Sequence, residues 1–177
     1  MRFEVQERTT HARPAVFAAS RDRLEQIVAY LEGVERVDLR SRARSAGGHE
    51  EQTYRWYGTS AALPALIRPL IPPSLLSWQQ HTVWDVSRWT ATWHIHVPGL
   101  GEAVQSRGTN VYHEDGAGCR IDLEGEFEFH PERVPELKGV PQAAVPMLEK
   151  FMVSLIVPLV KRSGEAVARY LTEQAKR

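Results

Sequence analysis

Two histidines that flank one isoleucine are the pattern in this sequence most suggestive of metal chemistry. His94 and His96 lie in a strand-like segment, and Glu102 falls on the following strand. Two imidazoles on one strand face can reach one metal ion, and a carboxylate from the next strand could complete the ligand set. However, alternation places both histidines on the side opposite Trp93 and Ile95, which is the side facing water. We therefore expect both imidazoles to be exposed and to bind no metal.

Uncharged polar side chains share strand faces with large aromatic residues and form a second candidate set. Hydroxyl and amide groups can orient a ligand carbonyl or hydroxyl, or steer a reactive chain. Backbone groups or trapped water satisfy such side chains more often, so both interpretations stay open. Alternation assigns no Asp or His to this set, which weakens the case for acid–base catalysis. The polar residues are Tyr54, Gln80, Thr82, Ser106, Asn110 and Tyr112.

The composition excludes several classes of protein. Lys plus Arg and Asp plus Glu each number 22, so the zero net charge gives no electrostatic footprint for nucleic acid. Cys119, the single cysteine, excludes an internal disulfide and a cysteine-based zinc site, and its apolar strand face indicates a small core residue. We find no signal-peptide pattern and no apolar run long enough to span a bilayer. The sequence therefore predicts a cytoplasmic protein without integral membrane association or cofactor.

Alternation of apolar and polar residues, which is typical of half-buried strands, predicts most of the secondary structure. The clearest example has Cys119, Ile121, Leu123 and Phe127 on one face and charged residues on the other. Glycine-rich turns separate several of the segments. The predicted strands cover residues 2–8, 34–44, 50–58, 75–86, 88–97, 103–114 and 117–130.

Helical periodicity marks three further regions. Pro14 begins two short helices that end at Gly33, and an apolar stripe from about 145 to 175 predicts a long C-terminal helix. Pro158 should kink this helix because the stripe continues in phase beyond it. Residues 63–76 also carry an apolar helical stripe, which we expect to pack over the mouth of a cavity; the alternatives are a mobile lid and a docking surface for a membrane or partner.

These elements predict an α+β domain over residues 1–177, in which a curved antiparallel sheet of about seven strands packs around the C-terminal helix. If the tryptophan-bearing faces are concave, aromatic side chains line a pocket of roughly 300–1,000 Å³, as ordinary ligand sites do. Alternatively, the same side chains simply fill the core. Gly164, on the buried stripe, should leave space for a ligand. The predicted lining residues are Tyr54, Trp56, Gln80, Trp84, Trp93, Asn110, Tyr112, Phe127, Phe151, Leu155 and Gly164.

The order of elements resembles the START-like superfamily, also called SRPBCC or the polyketide cyclase and lipid-transport fold. The resemblance rests on the C-terminal helix and on the opening block Phe3–Leu39, with its segments PAVFAAS and RLEQIVAYLEGVERVDL. The segment LPALI and the strand that carries Trp84 are similar to a family of unknown function within that superfamily. The resemblance implies a helix-grip fold with a cavity. It does not imply one reaction, because the superfamily includes cyclases, dehydratases, lipid carriers, hormone receptors and chaperone activators.

Three functions are therefore compatible with the sequence. The leading hypothesis is non-catalytic binding or transport of a hydrophobic small molecule or lipid. The second is an enzyme of the aromatase/cyclase or dehydratase type that acts on a polyketide-like substrate. The third is an interaction domain without a ligand. The cavity distinguishes them, since it should be open and apolar for the first, open and dotted with polar groups for the second, and filled for the third.

Overall fold

The computed structural model describes residues 1–45, 47–62, 76–130, 133 and 162–176 of the chain. Seven strands and three α-helices make up this part, together with short 3₁₀ turns. The strands are β1 (Arg2–Thr9), β2 (Val34–Arg44), β3 (Glu50–Gly58), β4 (Ser77–Asp85), β5 (Thr90–His96), β6 (Val104–Asp115) and β7 (Gly118–Phe129). The helices are α1 (Arg13–Asp22), α2 (Leu24–Ile27) and α3 (Ser163–Gln174).

All seven strands form one antiparallel sheet in the order β1-β7-β6-β5-β4-β3-β2. The first two strands in sequence are thus the two edges, and the chain reaches the second edge through α1 and α2. The hairpins from β2 onward add neighbours one after another, which the short turns between them require. The predicted α+β helix-grip architecture, with about seven strands and a C-terminal helix, is confirmed. Of the helix predicted at about 145–175, the structure describes the part Ser163–Gln174, and residues 145–161, with the predicted kink at Pro158, lie outside the described residues.

The main hydrophobic core lies between the concave face of the sheet and the helices. Phe17 of α1 is at its centre, and its ring packs edge-on against three others, with centroids 5.3 Å from Trp84, 5.2 Å from Trp89 and 5.1 Å from Tyr112. From the C-terminal side, α3 contributes Val167 and Tyr170. The Tyr170 hydroxyl donates a hydrogen bond of 2.7 Å to Gln26, so the helices also bind each other over the sheet.

A smaller apolar cluster lies at the connection between β5 and β6. It contains Val97, Leu100, Ala103, Val104 and Phe127, all nearly inaccessible to solvent. Because β7 is twelve residues long, its C-terminal part extends past the main core and reaches this cluster. Phe127 is therefore a core residue of the second cluster.

Two strand-face predictions differ from the structure. Trp89 belongs to the predicted strand 88–97, where alternation puts it on the same face as Trp93, but it lies in the turn before β5 with φ +57°, and its backbone oxygen accepts a hydrogen bond from Tyr112 N–H. Alternation in the predicted strand 34–44 puts Leu39 on the same face as Val37, yet 38% of Leu39 is exposed because β2 is an edge strand with a register irregularity after Leu39. In both places the local backbone geometry, which alternation does not encode, determines the outcome.

Candidate ligand-binding cavity

A cavity of about 190 Å³ lies between the concave face of the sheet and the helices. Strands β3 to β7 and all three helices contribute to its wall, so no single element forms it. Its volume is below the range predicted from the sequence. Among the residues that the structure describes, the wall contains no charged side chain. Its aromatic members are Tyr54, Trp56, Trp78, Trp84, Trp93 and Tyr112.

Most of the predicted lining residues lie at this cavity. Phe127 is an exception, since it packs in the second cluster instead. Phe151, Leu155 and residues 63–75 lie outside the described residues. The predicted residues that line the cavity are Tyr54, Trp56, Gln80, Trp84, Trp93, Asn110, Tyr112 and Gly164.

Hydrogen bonds donated by the indole N–H groups hold two of the wall tryptophans in place. Trp84 Nε1 donates to Gln52 Oε1 at 3.0 Å, and Trp93 Nε1 donates to Asn110 Oδ1 at 2.9 Å. Gln52 is itself only 1% exposed and donates to the Arg21 carbonyl oxygen at 3.0 Å. The hydrogen bond of a buried N–H group offsets the cost of removing that group from water, so these two rings are held in one orientation in the wall.

Tyr112 is a buried phenol at the deep end of the cavity. Burial raises its pKa, while its side-chain hydrogen bonds with Ser20 and Asn110 act in the opposite direction. The phenol is therefore neutral at physiological pH, and its hydroxyl already has protein partners. Ser20, on α1, was not predicted as a site residue, because its polar side chain lies next to an apolar helical stripe.

Three polar residues on the β3–β4 wall have capacity for further hydrogen bonds. Tyr54 is opposite Gln80 in the strand register, and Trp56 is opposite Trp78. The Trp56 indole N–H is buried without an acceptor, and among the described residues the Tyr54 hydroxyl has no hydrogen-bond partner. Gln80 uses its amide nitrogen on Thr82 at 3.1 Å, which leaves its oxygen free to accept.

Glu7 is a titratable residue beside the cavity that the sequence interpretation missed. It follows the inward-facing positions Phe3 and Val5 of β1, so alternation could have identified it. Burial raises its pKa from 4.5 to about 7; a hydrogen bond from Gly164 N–H lowers it, and the nearby Glu165 carboxylate raises it further. Alternation therefore places one titratable side chain beside the cavity, although it assigns no Asp or His there.

The space next to Gly164 belongs to Glu7 and not to a ligand. A Cβ atom at Gly164 would overlap with the Glu7 carboxylate and would lie 3.3 Å from Glu7 Cβ. Although Gly164 borders the cavity, its missing side chain makes room for the contact between β1 and α3. The prediction that this glycine creates ligand space is wrong for that reason.

Solved structures with the same fold include proteins of different named activities. The protein TTHA0849 from Thermus thermophilus matches with a TM-score of 0.64 at 19% identity, over 96% of this chain and 99% of that chain. The Zhui aromatase/cyclase from Streptomyces sp. R1128 matches with a TM-score of 0.64 at 17% identity, over 96% and 95%. Ara h 8.0201 matches with a TM-score of 0.57 at 10% identity, over 98% of each chain. No family model and no curated protein sequence matches the chain.

The chain has the START-like fold. The superfamily resemblance predicted from the sequence is thereby confirmed at the level of the fold. The comparison with a family of unknown function stays a prediction.

The outer face of the START-like sheet carries the two histidines considered for metal binding. His94 and His96 are exposed, as predicted, and border a shallow outer groove together with Glu102. Burial and the neighbouring His81 and His96 lower the pKa of His94. Within the described part of the chain, no three His, Cys, Asp or Glu side chains are close enough to hold a metal ion.

A partly buried ionic cluster lies at the start of β3 in the START-like sheet and joins residues of α1, β2 and β3. Arg42 Nη2 lies 2.7 Å from Glu50 Oε1 and 2.6 Å from Asp22 Oδ1, and Arg21 pairs with Asp22 at 2.7 Å. Glu50 also accepts a hydrogen bond of 2.6 Å from Gln52, the residue that holds Trp84. The cluster therefore connects α1 and β2 to the cavity wall.

No described helix is long and apolar enough to cross a membrane.

Proposed function

We propose that this protein binds a hydrophobic small molecule or lipid in the cavity between sheet and helices, without transforming it. The observation that supports this most strongly is the cavity itself, whose described wall consists mainly of aromatic and aliphatic side chains on separate elements, with a few uncharged polar groups. A close-packed protein interior leaves few voids larger than a water molecule, and a cavity of about 190 Å³ is larger than that. Pockets that hold small molecules are mostly apolar with a few fixed polar groups, and this wall has that character.

The rigidity of the wall also supports a binding role. Trp84 and Trp93 are each oriented by a buried hydrogen bond, and Trp56 stacks on Trp78 with ring planes 11° apart. Aromatic surfaces that are already ordered lose little conformational entropy when a flat or apolar ligand binds. The cavity wall is thus preorganised for ligand binding.

Binding of Nile red, an uncharged hydrophobic dye, tests the proposal. We expect saturable binding to the wild type and a decrease of at least roughly tenfold in affinity for Val167→Phe, because Val167 borders the cavity and added volume there would exclude the dye. Val83→Phe makes the same change on the outer face of β4 and should leave binding unaltered. Native mass spectrometry of freshly purified protein should in addition show a bound small molecule. Equal dye binding by both variants would mean that the cavity is not the site.

An aromatase/cyclase-type enzyme is the second candidate, and Glu7 is the observation that favours it. A carboxyl group with a pKa of about 7 can exchange protons near neutrality, which general acid–base catalysis requires. The similarity of fold to the Zhui aromatase/cyclase is consistent with this candidate. Incubation with a linear poly-β-ketone thioester distinguishes the two: a carrier returns it unchanged, whereas a cyclase yields a dehydrated ring product that Glu7→Gln forms more slowly.

A further inference from the structure

The two walls of the cavity differ in how far the protein satisfies its own polar groups. On the β5–β6 wall, Trp93 donates to Asn110, and Tyr112 hydrogen-bonds with Ser20 and Asn110. On the β3–β4 wall, the Tyr54 hydroxyl and the Trp56 indole N–H have no such partners among the described residues. Ser106 on β6 also has a buried hydroxyl without a partner, but it does not line the cavity. Among the lining residues, the unused capacity is therefore concentrated on the β3–β4 wall.

Two donors on the β3–β4 wall belong to residues on the inward face of β3, two positions apart, where Tyr54 is 4% exposed and Trp56 is 8% exposed. The Trp56 indole N–H is buried without an acceptor, and such a group costs about 1–3 kcal/mol. An acceptor supplied by a bound molecule would remove this cost, and the Tyr54 hydroxyl can donate to the same acceptor. This wall therefore favours a ligand that carries an acceptor.

The electrostatic environment indicates what kind of acceptor this is. Burial raises the pKa of Tyr54 to about 12, and the nearby carboxylate of Glu25 adds to the increase, so a negative charge is disfavoured at this position. Burial raises the pKa of Tyr112 as well, on the opposite wall. The same desolvation would oppose a carboxylate or phosphate on a ligand. An uncharged oxygen meets no such penalty.

We propose that Tyr54, Trp56 and Gln80 form a polar subsite for an uncharged apolar molecule whose carbonyl or ether oxygen accepts hydrogen bonds from the Tyr54 hydroxyl and the Trp56 indole. The free oxygen of Gln80 accepts from a hydroxyl group if the ligand carries one. This proposal rests on the proposed function, and it selects uncharged oxygen-containing ligands over fatty acids and anionic lipids.

Three compounds of the same ring size test the proposal: indanone, indane and indane carboxylate, with affinities measured by displacement of Nile red at pH 8. We expect indanone to bind about tenfold more tightly than indane, which corresponds to one or two neutral hydrogen bonds, and the carboxylate to bind least tightly. Tyr54→Phe and Trp56→Phe should each reduce the ratio of indanone affinity to indane affinity several-fold, and this ratio corrects for the apolar contact area that Trp56→Phe removes.

Tyr57→Phe is the matched control, because the Tyr57 hydroxyl lies on the outer face and accepts a hydrogen bond of 2.8 Å from Arg40. It should keep the full preference for indanone. Equal affinities for indanone and indane in the wild type, or a preference that survives in both Tyr54→Phe and Trp56→Phe, would overturn the subsite while leaving the proposed function intact. Tightest binding of the carboxylate would also overturn it. If neither Nile red nor any of the compounds binds, the proposed function fails together with the subsite.

Discussion

At the scale of single residues, Glu7 shows how a surface strand can hold a titratable group. β1 is an edge strand, yet the Glu7 side chain points toward the first turn of α3 and accepts a hydrogen bond from Gly164 N–H. The N-terminal end of a helix favours a negative charge, whereas burial and the Glu165 carboxylate disfavour it. Burial is the largest of these influences, so the carboxyl group keeps its proton to a higher pH than usual.

Glu7 should make the stability of the protein depend on pH between about 4.5 and 7. Because its pKa is higher in the folded chain, the folded state holds the proton more tightly, and the free energy of unfolding falls as the pH rises through this window. Glu7→Gln should remove this part of the pH dependence and stabilise the protein at pH 8 by about 1 kcal/mol, less than full linkage because the carboxyl is partly exposed. Urea denaturation at pH 5 and pH 8 measures both effects.

Two residues approach Glu7 from the packed elements, Glu165 on α3 and Tyr112 on β6, and both affect how the result is interpreted. Glu165→Gln serves as the comparison, since it removes a neighbouring charge and keeps the Glu7 titration. It should move the pH window to lower pH, and the pH-dependent loss of stability caused by Glu7 should still be observed. An unchanged pH dependence in Glu7→Gln would show that another group is responsible.

Trp89 is a second residue whose conformation the surrounding structure must maintain. A bulky side chain at φ +57° is strained, and contacts with Phe17 at 5.2 Å and with the Arg13 guanidinium at 4.3 Å oppose the strain. Trp89→Gly should be more stable than Trp89→Ala by about 1 kcal/mol, although glycine normally costs stability. Thermal denaturation of the two variants gives the difference. The pair Arg88→Gly and Arg88→Ala, at an adjacent position outside the left-handed region, should show the opposite order.

At the scale of elements, the contact between β1 and α3 depends on a pair of residues that share one space. Gly164 has no side chain, and the Glu7 carboxyl group occupies the volume that a methyl group would take. Because that carboxyl group is the mobile end of its side chain, a methyl group would displace it and break the hydrogen bond from Gly164 N–H. The resulting loss is therefore local and does not require the helix to separate from the sheet.

A double-mutant cycle tests this arrangement. Gly164→Ala alone should destabilise the protein by about 1 kcal/mol, since the lost hydrogen bond and the displaced carboxyl outweigh the better helix propensity of alanine. In a Glu7→Ala background the same substitution should become neutral or stabilising by up to about 1 kcal/mol, because the space is then empty. Chemical denaturation of the four proteins gives the coupling. Additive effects would show that the two side chains do not compete for one volume.

At the scale of the whole molecule, alternation predicted all seven strands because most of them have one face exposed to water and one face turned toward the core. β2 is largely exposed, and only its Val37 is buried. Alternation also places Glu7 on the inward face of β1, so the sequence contained the information needed to predict this residue. The other differences between prediction and structure depend on where a strand ends, on backbone conformation and on contacts between distant parts of the chain, which periodicity does not encode. Phe127 lies beyond the cavity because the C-terminal part of the twelve-residue strand β7 reaches the second cluster, and Trp89 leaves its strand because a turn imposes a positive φ. The space beside Gly164 was assigned to a ligand because its occupant, Glu7, comes from the opposite end of the chain.

The stacked rings of Trp56 and Trp78 have an optical consequence. Their centroids are 5.7 Å apart and their planes are nearly parallel, and each ring belongs to a different strand at a directly paired position. Two indoles this close couple their electronic transitions, and where the two transition moments are skewed within the ring planes, the coupling produces a split circular dichroism signal that neither ring produces alone. Because both rings also border the cavity, we expect ligand binding to change this signal. The tryptophan pair is therefore an internal spectroscopic reporter of the strand register between β3 and β4 and of ligand binding in the cavity.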